Sequence, residues 1–154
     1  IGDQEYFLAE SVLFRIYRAS ERLNRASFLN YCVVNQTFLG NPVTSKLICP
    51  DWDTAEEILK SGNKFMDWGN VTSIRKMSNL IFQDGFPISE YLAQFASILV
   101  DLQRFRNFIA HDSKEAETGF KNSRTHYVKK GDTPPNSVGE LCLYRKTLRS
   151  SIVI

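Results

Sequence analysis

Two stretches of this chain run on without glycine or proline for longer than a loop-rich or sheet-rich fold allows, Glu5 to Phe38 and Ser89 to Ala116. In the first, Leu8, Val12, Ile16, Ala19, Leu23, Ala26 and Val33 recur at helical spacing. That pattern predicts a long amphipathic helix, broken at most once, with these residues facing the core. In the second, Ser89 reads as an N-cap, and Tyr91, Phe95, Ile98, Leu102, Phe105 and Ile109 fall within about 40° of one line at about 100° per residue. This face is expected to be buried. A chain built around two such helices is expected to be all-α, a helical bundle with a long N-terminal helix and a second long helix late in the chain.

The intervening punctuation predicts shorter elements. Gly40-Asn41-Pro42 and Cys49-Pro50-Asp51 mark a loop between Leu39 and Trp52. Asp53 with Glu56 has the spacing of a capping pair for a short helix through Lys60, closed by Ser61-Gly62-Asn63. Val71, Ile74, Met77 or Ser78, and Ile81 fit a helix of about three turns, stopped by Asp84-Gly85 and Pro87. After Gly119 the chain turns polar and basic, as a loop or a short interrupted helix. Ser137 and Glu140 then have capping-box spacing, and Leu141, Tyr144, Leu148 and Ile152 fit a closing helix, although Leu141-Cys142-Leu143 and Ile152-Val153-Ile154 would also suit strands. With 154 residues, 43% of them hydrophobic, the chain has the size of one domain, 1–154, able to bury a core without disulfides or metal.

Several classes are set aside. No run approaches the ~20 apolar residues that span a bilayer, and Ile-Gly-Asp-Gln-Glu-Tyr-Phe lacks the features of a signal peptide, so a soluble, cytoplasmic protein with no membrane partner is expected. A chain that opens on Ile1 and closes on Ser-Ser-Ile-Val-Ile reads as a piece of a longer protein. Cys32, Cys49 and Cys142 form no Cys-x-x-Cys pair, and neither His111 nor His126 has a second His or Cys at ligand spacing, so no metal site is expected. Neither a phosphate-binding glycine loop nor a serine-nucleophile elbow is present, and no cofactor is expected.

Charge is uneven. Residues 1–103 carry a net −3 and residues 104–154 a net +5, which suits an anionic partner such as RNA phosphate and equally suits a plain basic surface. Arg15, Arg18, Arg22 and Arg25 share a stripe of the first helix, as a solvated or ion-paired face or as an RNA-contacting ridge. Arg124, His126, Lys129 and Lys130 could contact RNA phosphate, with Tyr127 stacking on a base; a solvated basic loop is the plainer account.

The polar residues with most chemical content are Arg104, Asn107 and His111, which fall together on the side of their helix roughly opposite its apolar stripe. Arg106 lies five residues before His111, about 140° around an ideal helix, which works against a contact within one straight helix. His transfers protons near neutral pH, Arg offers a permanently charged fork for phosphate oxygens, and Asn can hold the imidazole or the phosphate. These groups suit metal-free cleavage of an RNA phosphodiester by its own 2′-hydroxyl. Ala93, Ala96, Ser97 and Val100 precede them on the same side, small residues that would let a second copy come close.

At these residues the chain resembles the HEPN superfamily, whose signature is Arg, four to six residues, then His, often with a polar residue after the Arg. Arg106-Asn107-Phe108-Ile109-Ala110-His111 fits the commonest form, and Arg104 to His111 also falls within the range. Asp112 stands where many members have glycine. The resemblance implies an all-helical domain that forms a homodimer with two motifs meeting in a cleft, and a metal-independent endoribonuclease leaving a 2′,3′-cyclic phosphate and a 5′-hydroxyl. It implies His111 as general acid/base, Arg106 as phosphate clamp, Asn107 positioning and Arg104 assisting. It also implies a toxin–antitoxin, phage-defence or RNA-processing setting, with an antitoxin or regulatory domain as partner. Some members are catalytically silent modules for RNA, nucleotide or protein binding, which is the alternative here.

Overall fold

The computed structural model describes residues 2–62 and 64–144. It is all-α: helices α1 (Asp3–Val33), α2 (Trp52–Lys60), α3 (Val71–Ile81), α4 (Ile88–Gln94), α5 (Ala96–Ala110), α6 (Lys114–Arg124) and α7 (Val138–Leu143), with one 3-10 turn at Gln83–Gly85. Among the described residues there is no strand, only two isolated antiparallel bridges, Gln36 to Pro42 and Ser45 to Phe82. No described helix is long and apolar enough to cross a membrane. The chain divides into two compact units, one made of Arg18–Val100 and the other of the described residues of Ile1–Tyr17 and Asp101–Ile154, so α1 and α5 each contribute to both.

The unit of Arg18–Val100 is built on a continuous apolar core. Phe28 of α1 is fully buried, with the rings of Trp68 and Phe82 at 5.7 and 5.0 Å. Ile74 of α3, Ala55 of α2 and Leu92 of α4 close around the same cluster. The buried Asn24 side chain donates to the Trp68 carbonyl at 3.1 Å, fixing the loop that carries Trp68. α2 is capped by Asp51, whose carboxylate accepts from Thr54 N at 2.7 Å, so the cap sits two residues before the expected Asp53. α3 has the expected bounds, with Asn70 accepting from Ser73 N.

Both long apolar stripes are corrected. On α1, Leu8 is 63% exposed and Val12, Ile16 and Leu23 are also exposed, whereas Tyr17, Asn24 and Phe28 are buried on the opposite side of the helix. α1 is apolar on more than one line, and the line with the bulky rings is buried because each ring removes more area from water than an aliphatic side chain. The helix from Ser89 breaks at Phe95 and ends at Ala110, and its N-cap position is Pro87, without a side-chain cap. Tyr91, Phe95 and Ile98 are exposed, since Ile88, Leu92 and Leu99 take the core side of this part.

In the other unit the core is small. Phe105, Phe120, Val138 and Leu141 are buried, with Leu13, Phe108, Ile109 and Val128 packed against them. Phe108 stacks on Phe120 at 4.4 Å and Phe105 meets Phe120 edge-on at 6.0 Å, fastening α6 to α5. α6 is a regular helix through Gly119, capped by Ser113, where the composition left a loop or a short interrupted helix open after that glycine. α7 begins at Ser137, whose hydroxyl accepts from Glu140 N; the Glu140 carboxylate returns to Asn136 N. Gly139 is required here, since a Cβ would lie 2.4 Å from the Tyr6 carbonyl oxygen. The expected continuation of this helix through Leu148 and Ile152 lies outside the described residues.

Candidate functional site

α5 ends at Ala110, and the His111 amide still donates to the Asn107 carbonyl at 2.9 Å. The imidazole is therefore held at the helix end while its side chain stays exposed. Ser113 starts α6 immediately afterwards, so His111 sits at the mouth of the α5–α6 corner. It lines a cleft of about 580 Å³ with Phe108, Asp112, Lys114 and Glu117. It also lines a second, of about 470 Å³, with Arg104, Asn107, Glu115 and Gly119.

Arg106 reaches His111 despite the 140° separation: Nη1 lies 3.3 Å from Nε2 and also donates to Asn107 Oδ1 at 3.1 Å. An ideal wheel locates a Cβ, and the arginine side chain is long enough to travel around the helix end from there. A guanidinium only donates, so Nε2 accepts and the ring proton of the neutral imidazole resides on Nδ1. The guanidinium carbon lies 5.8 Å from the ring centroids of both Phe14 and Tyr17 of α1. Arg106 Nε is buried without a hydrogen-bond partner, and these two ring faces supply a favourable surface for the cation.

Arg104 takes a different course. Its Nη1 donates to Ser123 Oγ at 3.1 Å and lies 3.6 Å from Asp101 Oδ1, while its stem passes Gly119, where a Cβ would stand 3.4 Å from Arg104 Cγ. Arg104, Asn107 and His111 thus share one cleft, yet the guanidinium that touches the imidazole is that of Arg106.

Asp101 was not singled out by sequence. It is 3% exposed, and Oδ2 accepts from His126 Nδ1 at 2.9 Å and from the Tyr127 hydroxyl at 3.1 Å. Burial pushes the Asp101 carboxyl up, but hydrogen bonds from Ser123, His126 and Tyr127 outweigh that and hold it below its ordinary value. Tyr127 is pushed up to about 12 by burial and by the carboxylate it donates to, and its ring meets Phe105 edge-on at 5.8 Å. The signal in the sequence was a lone carboxylate inside Ile98-Leu99-Val100-Asp101-Leu102, a charge in an otherwise apolar run.

The four basic residues read as RNA contacts separate. Arg124 Nη1 donates to the Pro135 carbonyl at 2.5 Å and its guanidinium lies over the Phe120 ring at 5.6 Å, so it ties the segment before α7 to α6. His126 is held by Asp101, and Lys129 and Lys130 are exposed. Among the described residues no group of three or more His, Cys, Asp or Glu could hold a metal ion. The arginine stripe of α1 shows ion pairing at Arg18 with Glu21, at 2.6 Å, and at Arg25 with Glu56, at 2.9 and 2.6 Å.

No family model, no curated protein and no solved structure matches this chain.

Proposed function

We propose that this chain is a metal-independent endoribonuclease of the HEPN type, with His111 and Arg106 at its centre. The observation that carries the proposal is the contact of the Arg106 guanidinium with His111 Nε2 at 3.3 Å, beside clefts of about 580 and 470 Å³. It joins a proton-transfer group to a fixed cation within one chain. An entering phosphodiester competes for the guanidinium, and transfer of Arg106 to the phosphate frees Nε2. The imidazole then takes the proton of the ribose 2′-hydroxyl as that oxygen attacks phosphorus. The P–O5′ bond breaks, the 5′-oxygen takes up the proton that the imidazole received, and a 2′,3′-cyclic phosphate, a 5′-hydroxyl and the neutral imidazole are left. Arg106 balances the charge that builds on the phosphoryl oxygens, Asn107 steadies Arg106 through Oδ1, and Arg104 borders the same cleft. A second copy of the chain, as the family resemblance implies, would bring two such centres together, and a toxin, phage-defence or RNA-processing setting with an antitoxin or regulatory partner belongs to the same proposal.

The test is incubation of the purified chain with labelled RNA in excess EDTA beside His111→Ala and Arg106→Ala. Cleavage that persists in EDTA and falls about 10²–10⁴-fold in His111→Ala and 10²–10³-fold in Arg106→Ala is the expected result. Intact RNA that remains bound to the wild type would assign the chain instead to the silent binding modules, and sedimentation reads out the second copy.

A further inference from the structure

We infer that Phe14 and Tyr17 of α1 are positioning residues for Arg106, holding its guanidinium by their rings so that its charge stays uncompensated and free for the phosphate. This rests on the nuclease reading above and adds to it two residues outside the Arg-to-His motif.

A cation fixed within a fold is commonly held by a carboxylate, which compensates the charge it holds. Arg25 is held in this way by Glu56, and Arg104 has Asp101 Oδ1 3.6 Å away beside its bond to Ser123 Oγ. Arg106 differs. Among the described residues its polar partners are Asn107 Oδ1 and His111 Nε2, both neutral, and no carboxylate pairs with it. Its Nε is buried without a hydrogen-bond partner, and its guanidinium carbon lies 5.8 Å from the ring centroids of both Phe14 and Tyr17. The negative face of a ring attracts a cation and offsets the loss of water around it, without placing an anion beside it.

That kind of holder suits the step asked of Arg106. The guanidinium has to leave His111 Nε2 for phosphoryl oxygens, so the group that holds it must not compete for Nη1. A ring acts through its quadrupole and leaves Nη1 to oxygen and nitrogen acceptors. Phe14 and Tyr17 are three residues apart, so one turn of α1 presents both. Tyr17 is buried and Phe14 half-buried, which keeps the rings themselves in place. The same contrast separates the two arginines of the motif. Arg104 approaches the cleft with its charge partly met by Asp101, whereas the charge of Arg106 is still available to a phosphate.

The experiment follows steady-state cleavage of labelled RNA in excess EDTA. In Phe14→Leu, which keeps apolar bulk and removes the ring, kcat is expected to fall about fivefold with KM within about twofold, because Arg106 acts on charge that develops in the transition state. Phe14→Tyr keeps a ring and should stay within about twofold of the wild type. In an Arg106→Ala background Phe14→Leu should alter kcat by less than about twofold, since no cation is left to hold. An equal fall in both backgrounds, or no fall in the wild-type background, overturns the positioning role. If Leu lowers the urea midpoint, Phe14→Met takes its place with the same expectations. A second readout does not depend on cleavage: exchange of the Arg106 Nε hydrogen, followed by NMR, should quicken about tenfold in Phe14→Leu and stay near wild type in Phe14→Tyr. Equal exchange in wild type and Phe14→Leu overturns the ring cradle even if His111→Ala abolishes cleavage. A wild type that cleaves no RNA, with exchange quickened in Phe14→Leu, supports the cradle and overturns the nuclease reading alone.

Discussion

The unit of Arg18–Val100 and the unit that carries His111 divide mass and chemistry unequally. In the first, one cluster of thirteen buried residues, all apolar or cysteine, includes Phe28, and the two buried polar side chains, Asn24 and Ser78, are uncharged and donate to backbone carbonyls. In the second, four buried apolar residues form the cluster, while a buried carboxylate, a buried serine hydroxyl, three arginines and both histidines of the chain gather beside it. A large apolar core tolerates few polar groups because each must be matched, whereas a small core bordered by a hydrogen-bonded network can present them to solvent. The difference assigns stability mainly to the first unit and chemistry to the second, and substitutions can test each half of that statement.

The largest effect is expected from Phe28→Ala. Phe28 is fully buried against Trp68 and Phe82, so the loss is about 3–5 kcal/mol in chemical denaturation. RNA affinity per native molecule should stay within about twofold. A change in RNA affinity at a temperature where the variant is folded would break the division.

Next in size is Asp101→Asn, which keeps the shape and removes the charge from the network. A loss of about 1–3 kcal/mol at neutral pH is expected, since the hydrogen bonds from Ser123, His126 and Tyr127 then go to a neutral group instead of an ionised acceptor. The folded carboxyl is held below its ordinary value of 3.8, so the stabilisation is complete above that value and is lost as pH falls through the lower folded one. Wild type and Asp101→Asn should therefore converge in stability in strong acid, separate as pH rises through the folded value toward 3.8, and keep a constant difference above it, read from urea midpoints across pH. Parallel curves would show that the charge of Asp101 contributes nothing to the fold.

Some of this was legible in the sequence. α3 has its expected bounds because Asn70 and the breakers after Ile81 fix its ends locally. The all-α class followed from the glycine- and proline-free stretches. The buried face of α1 did not, since Leu8, Val12, Ile16 and Leu23 lie opposite Tyr17, Asn24 and Phe28, and only packing decides between two apolar lines on one helix. The motif residues came from spacing, but the contact of Arg106 with His111 depends on the length and path of a side chain that a helical wheel does not contain. Asp101 needed the fold, because its partners lie 22 to 26 positions later in the chain, at Ser123, His126 and Tyr127.

The smallest effect is expected from Arg25→Ala, which asks whether the arginine stripe of α1 belongs to the chemistry after all. Arg25 makes a two-pronged contact with Glu56, and the hydrogen bond from the guanidinium holds the Glu56 carboxyl below its ordinary value. The arginine side chain is more than a third exposed, so water and salt screen most of that attraction. A stability loss under about 1 kcal/mol, shrinking further in 1 M salt, is expected, with RNA affinity unchanged. A fall in RNA affinity of about tenfold would make the stripe an RNA-contacting ridge, since the loss of one screened ion pair cannot produce it. The chemistry would then extend into the unit with the large core.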